Sequence, residues 1–180
     1  MASSTPKPFN WRECLELAEQ ILAAPPARDY IHRPVFLPTV VFRVVLPAEL
    51  CLEANKTMRR GFAKAKFAHA SNAKKLWKKL DDLAKPWLKY RPYWPIQLES
   101  GRPQVLAVKF SSHPNDEGSN PAKKAIDMLT VPRVDPETGI RQKHRLGLIV
   151  DDRRSSVDQH HWWEFLPKKH RAFVLIEVRI

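Results

Sequence analysis

At 180 residues with 43% hydrophobic content, the chain can bury one substantial core, so a single domain with an appendage is expected and two domains would each be small. A formal charge of +12 and a pI near 10 exceed what solubility requires and point to a polyanionic partner, with nucleic acid first and a merely basic surface as the bland alternative. Cys14 and Cys51 lack a Cys-x-x-Cys spacing and read as packed thiols, which argues against a disulfide framework or a zinc site. Met1 to Asn10 has no apolar core of signal-peptide type and no apolar run approaches a bilayer span, so a soluble intracellular protein with no membrane partner is expected.

In chain order, Asn10 stands three residues before Glu13 as a capping-box start. Trp11, Cys14, Leu15, Ala18, Ile21 and Leu22 follow at helical spacing, which predicts a helix over 11–23 stopped by Pro25 and Pro26. Residues 1–37 are taken as an N-terminal extension, the helix plus a proline-rich linker. Val40 to Leu46 is β-branched and short, the pattern of a largely buried strand ended by Pro47.

Between Lys56 and Arg91 twelve Lys or Arg face only Asp81 and Asp82, a net of +10, so most of the chain's charge is local. Within that block Ala73, Leu76, Trp77, Leu80, Leu83, Ala84 and Trp87 share one helical face. Lys74, Lys75, Lys78, Lys79 and Lys85 share the other, with Ser71 or Asn72 expected as the cap and Pro86 as the limit. Val105 to Phe110 reads as a second strand.

Asn120 as N-cap and Pro121 at the first helical position start a short helix that ends near Thr130, packing through Ala122, Ala125, Ile126 and Leu129. Asp135 to Gly139 is a turn. Val157 to Phe165 and Arg171 to Ile180 bracket Leu166 to His170 as a terminal β-hairpin, in which Ala172, Val174, Ile176, Val178 and Ile180 alternate as one buried face. The order of elements predicts an α+β fold, a single mixed β-sheet packed with helices.

Five acids are placed to meet in space. Asp116 and Glu117 precede the short helix, Asp127 lies on it, and Asp151 and Asp152 close the apolar run Leu146 to Val150. If that run packs beside the helix, carboxylates from separate elements converge, as a hard cation such as Mg²⁺ requires for phosphodiester cleavage. Lys123, in the first turn, is where developing phosphoryl charge would be met; its plain alternative is an i,i+4 pair with Asp127. Each acid taken singly is more often a solvated surface charge, and Asn120 is as readily a helix cap as a site residue. Arg59, Arg60, Lys64 and Lys66 around Gly61 suit a nucleic-acid backbone, with Phe62 and Phe67 available for stacking or core packing. His160 and His161 alternate faces in a strand and cannot readily share a ligand set; Trp162 and Trp163 are expected in packing or at a dimer surface.

The stretch Glu117-Gly118-Ser119-Asn120-Pro121-Ala122-Lys123-Lys124-Ala125-Ile126-Asp127-Met128-Leu129, followed by Asp151-Asp152, resembles the RusA-type Holliday-junction resolvases, whose signature reads D-x-D-N-L-x-K-x-x-x-D-x-L followed by D-D. Asn120, Lys123, Asp127, Leu129 and the acidic pair match. Glu117 stands for the first aspartate, Ser119 for the second and Pro121 for the usual leucine. Leu46-Pro47, Asn55 and the basic loop Arg59 to Lys66 are similar to the family's segment ahead of its long helix, so the resemblance covers residues 38–180.

The resemblance implies a RusA-like endonuclease domain and a homodimer acting in DNA recombination and repair, often encoded by phages or prophages, hence the cytoplasm of a bacterial or phage-infected cell. It implies Mg²⁺-dependent hydrolysis of four-way or other branched DNA. Glu117, Asp152, Asp151 and Asp116 would hold the metal, with Lys123, Asp152 and Glu117 catalytic. Asn55, Arg59, Arg60, Lys64 and Lys66 would bind the nucleic acid. Ser119 keeps one alternative open, a catalytically impaired relative that binds branched nucleic acid without cleaving it; a third reading is a nuclease of the same fold acting on another substrate, such as a flap or RNA.

Overall fold

A computed structural model of the chain describes residues 9–28, 31–51, 62–114, 120–134 and 136–180, with the side chains of 62–70 set apart. The elements are α1 (Trp11–Ala23), β1 (Val40–Pro47), α2 (Phe62–Ala84), a 3₁₀ segment (Lys85–Tyr93), β2 (Gln104–Ser111), α3 (Lys123–Leu129), β3 (Asp158–Phe165) and β4 (Phe173–Arg179). The four strands form one mixed sheet in the order β1-β4-β2-β3, and the fold is α+β.

β4 lies between β1 and β2 and runs antiparallel to both, with Val44 opposite Ile176 and Ala107 opposite Ile176. β3 pairs only with β2, in parallel, from Gln104 opposite Asp158 to Ser111 opposite Phe165. The expected terminal hairpin is therefore not formed. Two consecutive strands joined by a short turn normally pair, but β4, apolar from Phe173 to Ile176 and at Val178, gains more by occupying the centre of the sheet, while β3 begins Asp158-Gln159-His160-His161 and tolerates an edge. For the same reason β4 does not bury one alternating face alone. Val174, Ile176 and Val178 face one core, and Phe173 and Leu175 face another.

The larger core joins Phe42, Val44 and Leu46 of β1 to Leu76, Leu80 and Ala84 of α2 and to Ala125, Ile126 and Leu129 of α3. The apolar stripe expected on α2 is thus its packing face, with Lys74, Lys75 and Lys78 exposed opposite. Its start differs from expectation. α2 begins at Phe62, so Ser71 and Asn72 lie inside it rather than capping it, because Ala63 to Ala70 are mostly strong helix formers that extend the helix upstream. Lys64 and Lys66 accordingly belong to a helix and not to a loop.

α1 covers the opposite face of the sheet, where fully buried Ala18 meets Val45, Phe110, Phe173 and Leu175. Asn10 caps it as expected, its Oδ1 accepting from the Arg12 amide at 3.2 Å. Arg33 then ties the end of α1 to the sheet. Its guanidinium donates to the Ile21, Leu22 and Ala24 carbonyls and pairs with the fully buried Glu164 of β3 at 2.5 Å, giving the helix terminus the donors it lacks. Gln104 of β2 holds the next stretch, donating to the Val35 carbonyl at 2.8 Å and accepting from the Leu37 amide at 3.2 Å.

Candidate acid–lysine site at the start of the short helix

α3 is only seven residues long, and tertiary contacts rather than its own ladder hold it. Ala125, Ile126, Met128 and Leu129 are buried under the sheet. Asn120 orders the turn before it. Its Oδ1 accepts from the Ala122 amide at 2.9 Å and its Nδ2 donates to Gln159 of β3 at 3.0 Å, so both ends of the amide serve structure. Pro121 lies in this turn, and the first helical residue is Lys123.

The apolar run 146–150 packs beside α3 as required for convergence. Leu146 donates to the Met128 carbonyl at 2.8 Å, Leu148 to Leu129 at 2.7 Å, and Val131 to Ile149 at 2.9 Å, with Thr130 and Ile149 forming a single parallel bridge. Gly147 adopts φ +78°, a backbone that L side chains rarely take, and its amide donates to the Thr130 carbonyl at 3.1 Å. This pairing carries Asp151 and Asp152 to the first turn of α3.

Lys123 stands between two carboxylates. Its ammonium pairs with Asp127 at 2.8 Å, one helical turn on, and with Asp152, 29 residues along the chain. Burial raises the Asp152 pKa, but the hydrogen bond and charge of Lys123 outweigh it and hold the carboxyl down at about 2. For Lys123, burial lowers the pKa, while the hydrogen bonds and charges of Asp127 and Asp152 outweigh it and raise the value above its ordinary one.

Asp151 is used differently. It is buried, its Oδ1 accepts the Asp152 amide at 2.8 Å, and its Oδ2 pairs with Arg133 and with Arg153 at 3.3 Å. The role of Arg133 and Arg153 was not legible beforehand, since neither stands at a motif spacing; only the adjacency of Arg153 to the acidic pair hinted at it.

The structure therefore brings Lys123, Asp127 and Asp152 together and turns Asp151 toward two guanidiniums. Asp116, Glu117 and Ser119 lie outside the described residues, as do Asn55, Arg59 and Arg60, and the side chains of Lys64 and Lys66 are likewise not described. Among the described residues no group of three or more His, Cys, Asp or Glu is placed to hold a metal ion. The donors present, the Asp127 and Asp152 carboxylates, are of the kind a hard cation takes, but the point at which they meet is held by the Lys123 ammonium.

The two tryptophans expected in packing or at a dimer surface are engaged within the chain. Trp163 is buried, with Nε1 donating at 3.0 Å to Ser111, and Trp162 stacks on Phe36 at 5.9 Å while donating to Glu164. His160 pairs with Asp158 at 2.9 Å, away from any shared ligand set. Among the described residues no helix is long and apolar enough to cross a membrane.

No protein-family model matches this chain, and neither a curated protein nor a solved structure is significantly similar to it.

Proposed function

We propose that the chain is a Mg²⁺-dependent, structure-selective endodeoxyribonuclease of RusA-like type, acting on four-way or other branched DNA as a homodimer. The observation that carries this reading is the meeting of Lys123, Asp127 and Asp152. These matched positions of the signature are separated by up to 29 residues, and they converge on one ammonium group. A lysine held by two carboxylates on a strongly basic chain is suited to a phosphodiester.

The roles follow from the chemistry of each group. The basic block from Lys56 to Arg91, with Arg59, Arg60, Lys64 and Lys66 at its head and Asn55 before it, draws in the DNA backbone. Lys123 turns its charge to the scissile phosphate, which competes with the two carboxylates for the ammonium. Asp152, with Glu117 and Asp116 from the preceding loop, would hold the metal, and Asp151 fixes Asp152 through its amide. Mg²⁺, when bound, supplies a Lewis acid and an oriented water. The homodimer follows from the two-fold relation of opposing strands in a junction.

Two observations favour a second reading, a protein that binds branched nucleic acid without cleaving it. Ser119 stands where the family carries an aspartate, and Asp151 is neutralised by Arg133 and Arg153. The test is to incubate the protein with a labelled four-way junction and with linear duplex, with and without Mg²⁺. Metal-dependent nicking of the junction supports the nuclease, and tight binding without nicking supports the second reading.

A further inference from the structure

The 3₁₀ segment after α2 concentrates aromatic residues in a way the acid–lysine site does not use. Trp87, Tyr90, Tyr93 and Trp94 lie within eight residues, and with Ile96 and the start of β1 they line a cavity of about 400 Å³. That size is within the range of about 300–1,000 Å³ typical of small-ligand sites. Trp87 forms the fixed wall. Its Nε1 donates to the Arg43 carbonyl at 3.0 Å, and its ring lies 5.9 Å from Phe42 of the core. The outer wall is open: Tyr90 is 43% exposed and Tyr93 77% exposed.

A ring as exposed as Tyr93 gains little from the protein's own core, and its face is presented to a ligand. The charge around the cleft narrows the ligand. No lining side chain is charged, and the segment 85–93 carries Lys85, Lys89 and Arg91 with no acid. Lys85 is paired with Asp82, whereas the Lys89 ammonium sits 4.9 Å from the Tyr90 ring and Arg91 is exposed. Uncharged aromatic faces flanked by cations match a flat heteroaromatic base joined to a phosphate backbone. The exposed Gln97 amide adds a donor and an acceptor at the rim for a base edge.

We infer that this cleft binds an unpaired nucleobase of a nucleic-acid strand by stacking on the exposed Tyr93 ring, against a wall in which the Trp87 and Tyr90 rings already meet at 6.4 Å between centroids, with Lys89 and Arg91 on the adjoining phosphates. The inference rests on the nucleic-acid-binding part of the reading above and is independent of cleavage. It gives the protein a way to favour DNA with unpaired positions, such as the centre of a branch, over continuous duplex.

The test measures binding of the full chain to a fluorescent oligo(dT), to an abasic strand of the same length and to a linear duplex, without Mg²⁺. Tyr93→Ala and Tyr90→Ala are expected to weaken oligo(dT) binding about 5- to 100-fold while duplex affinity stays within about twofold, since stacking serves bases and phosphate contacts serve both. Tyr93→Phe should bind as the parent does, and the parent should bind the abasic strand at least as weakly as Tyr93→Ala binds oligo(dT). Unchanged oligo(dT) affinity in both alanine variants would overturn the inference while leaving the nucleic-acid reading intact. A parent that binds none of the three ligands overturns both. A shift in oligomeric state on Tyr93→Ala with oligo(dT) affinity unchanged would make the cleft an interface between copies and also overturn it.

Discussion

Asp151 Oδ1 accepts the backbone amide of Asp152 at 2.8 Å, and that one bond turns two adjacent acids to different tasks. Asp151 looks inward to Arg133 and Arg153, while Asp152 looks outward to Lys123. A carboxylate that orients its neighbour's backbone is a support for the site. In the nuclease reading proposed above, Asp152 rather than Asp151 is then the acid that would face substrate.

The Asp152 environment predicts an acid limb in the stability profile. Its folded pKa of about 2 lies below the unfolded aspartate value of about 3.9, so the stabilisation is fully present above about pH 4 and is lost as pH falls toward 2. Urea midpoints measured across that window should fall less steeply for Asp152→Asn than for the parent. Equal slopes would show that the pairing with Lys123 does not stabilise the fold.

Arg33 is expected to be among the most sensitive positions outside the main core. Arg33→Ala leaves Glu164 buried without its cation and removes donors from the last carbonyls of α1, which should cost about 3–5 kcal/mol in urea unfolding. Replacing Glu164 by Gln in the same background should recover part of the loss, because the uncompensated charge is then gone. A loss under about 1 kcal/mol for Arg33→Ala would mean that water reaches Glu164.

Binding to DNA should weaken steeply with salt, because phosphate contacts release condensed counterions. Arg59→Glu with Arg60→Glu should flatten the slope of log affinity against log salt by roughly two phosphate contacts, measured by fluorescence anisotropy. An affinity independent of salt would remove the argument built on the basic block.

The parts of the fold that were legible in the sequence are those where one local pattern decides the outcome. The Asn10 cap with its apolar stripe and the buried faces of α2 and α3 were readable from capping and period, and the strands read at 40–46 and 105–110 from their short β-branched runs lie within the observed β1 and β2. The partner of β3 was not, because pairing is a contest between strands. Nothing within Asp158 to Phe165 records that the more apolar β4 displaces it from a hairpin. At the site, the meeting of Lys123 with Asp152 followed from spacing once the run 146–150 was placed beside α3. The guanidiniums on Asp151 did not, since long side chains reach their partners through tertiary geometry that carries no sequence period.

Ser119 offers a gain-of-function prediction. If the residues before Asn120 contribute metal ligands, Ser119→Asp adds a hard charged donor, and both Mg²⁺ affinity and the rate of junction cleavage should rise. Isothermal titration with Mg²⁺ reads the first effect independently of the second. No change in either would place Ser119 outside the metal's reach.

Nicking of a labelled four-way junction by the parent and by Asp152→Asn, at saturating Mg²⁺ and where both bind the junction, decides whether this chain is a nuclease that uses Asp152. The parent is expected to nick opposing strands, and Asp152→Asn to bind within about twofold of it yet nick at least about 100-fold more slowly, since a lost carboxylate weakens the metal site and leaves the basic block intact. Cleavage by Asp152→Asn at the parental rate would contradict that use of Asp152.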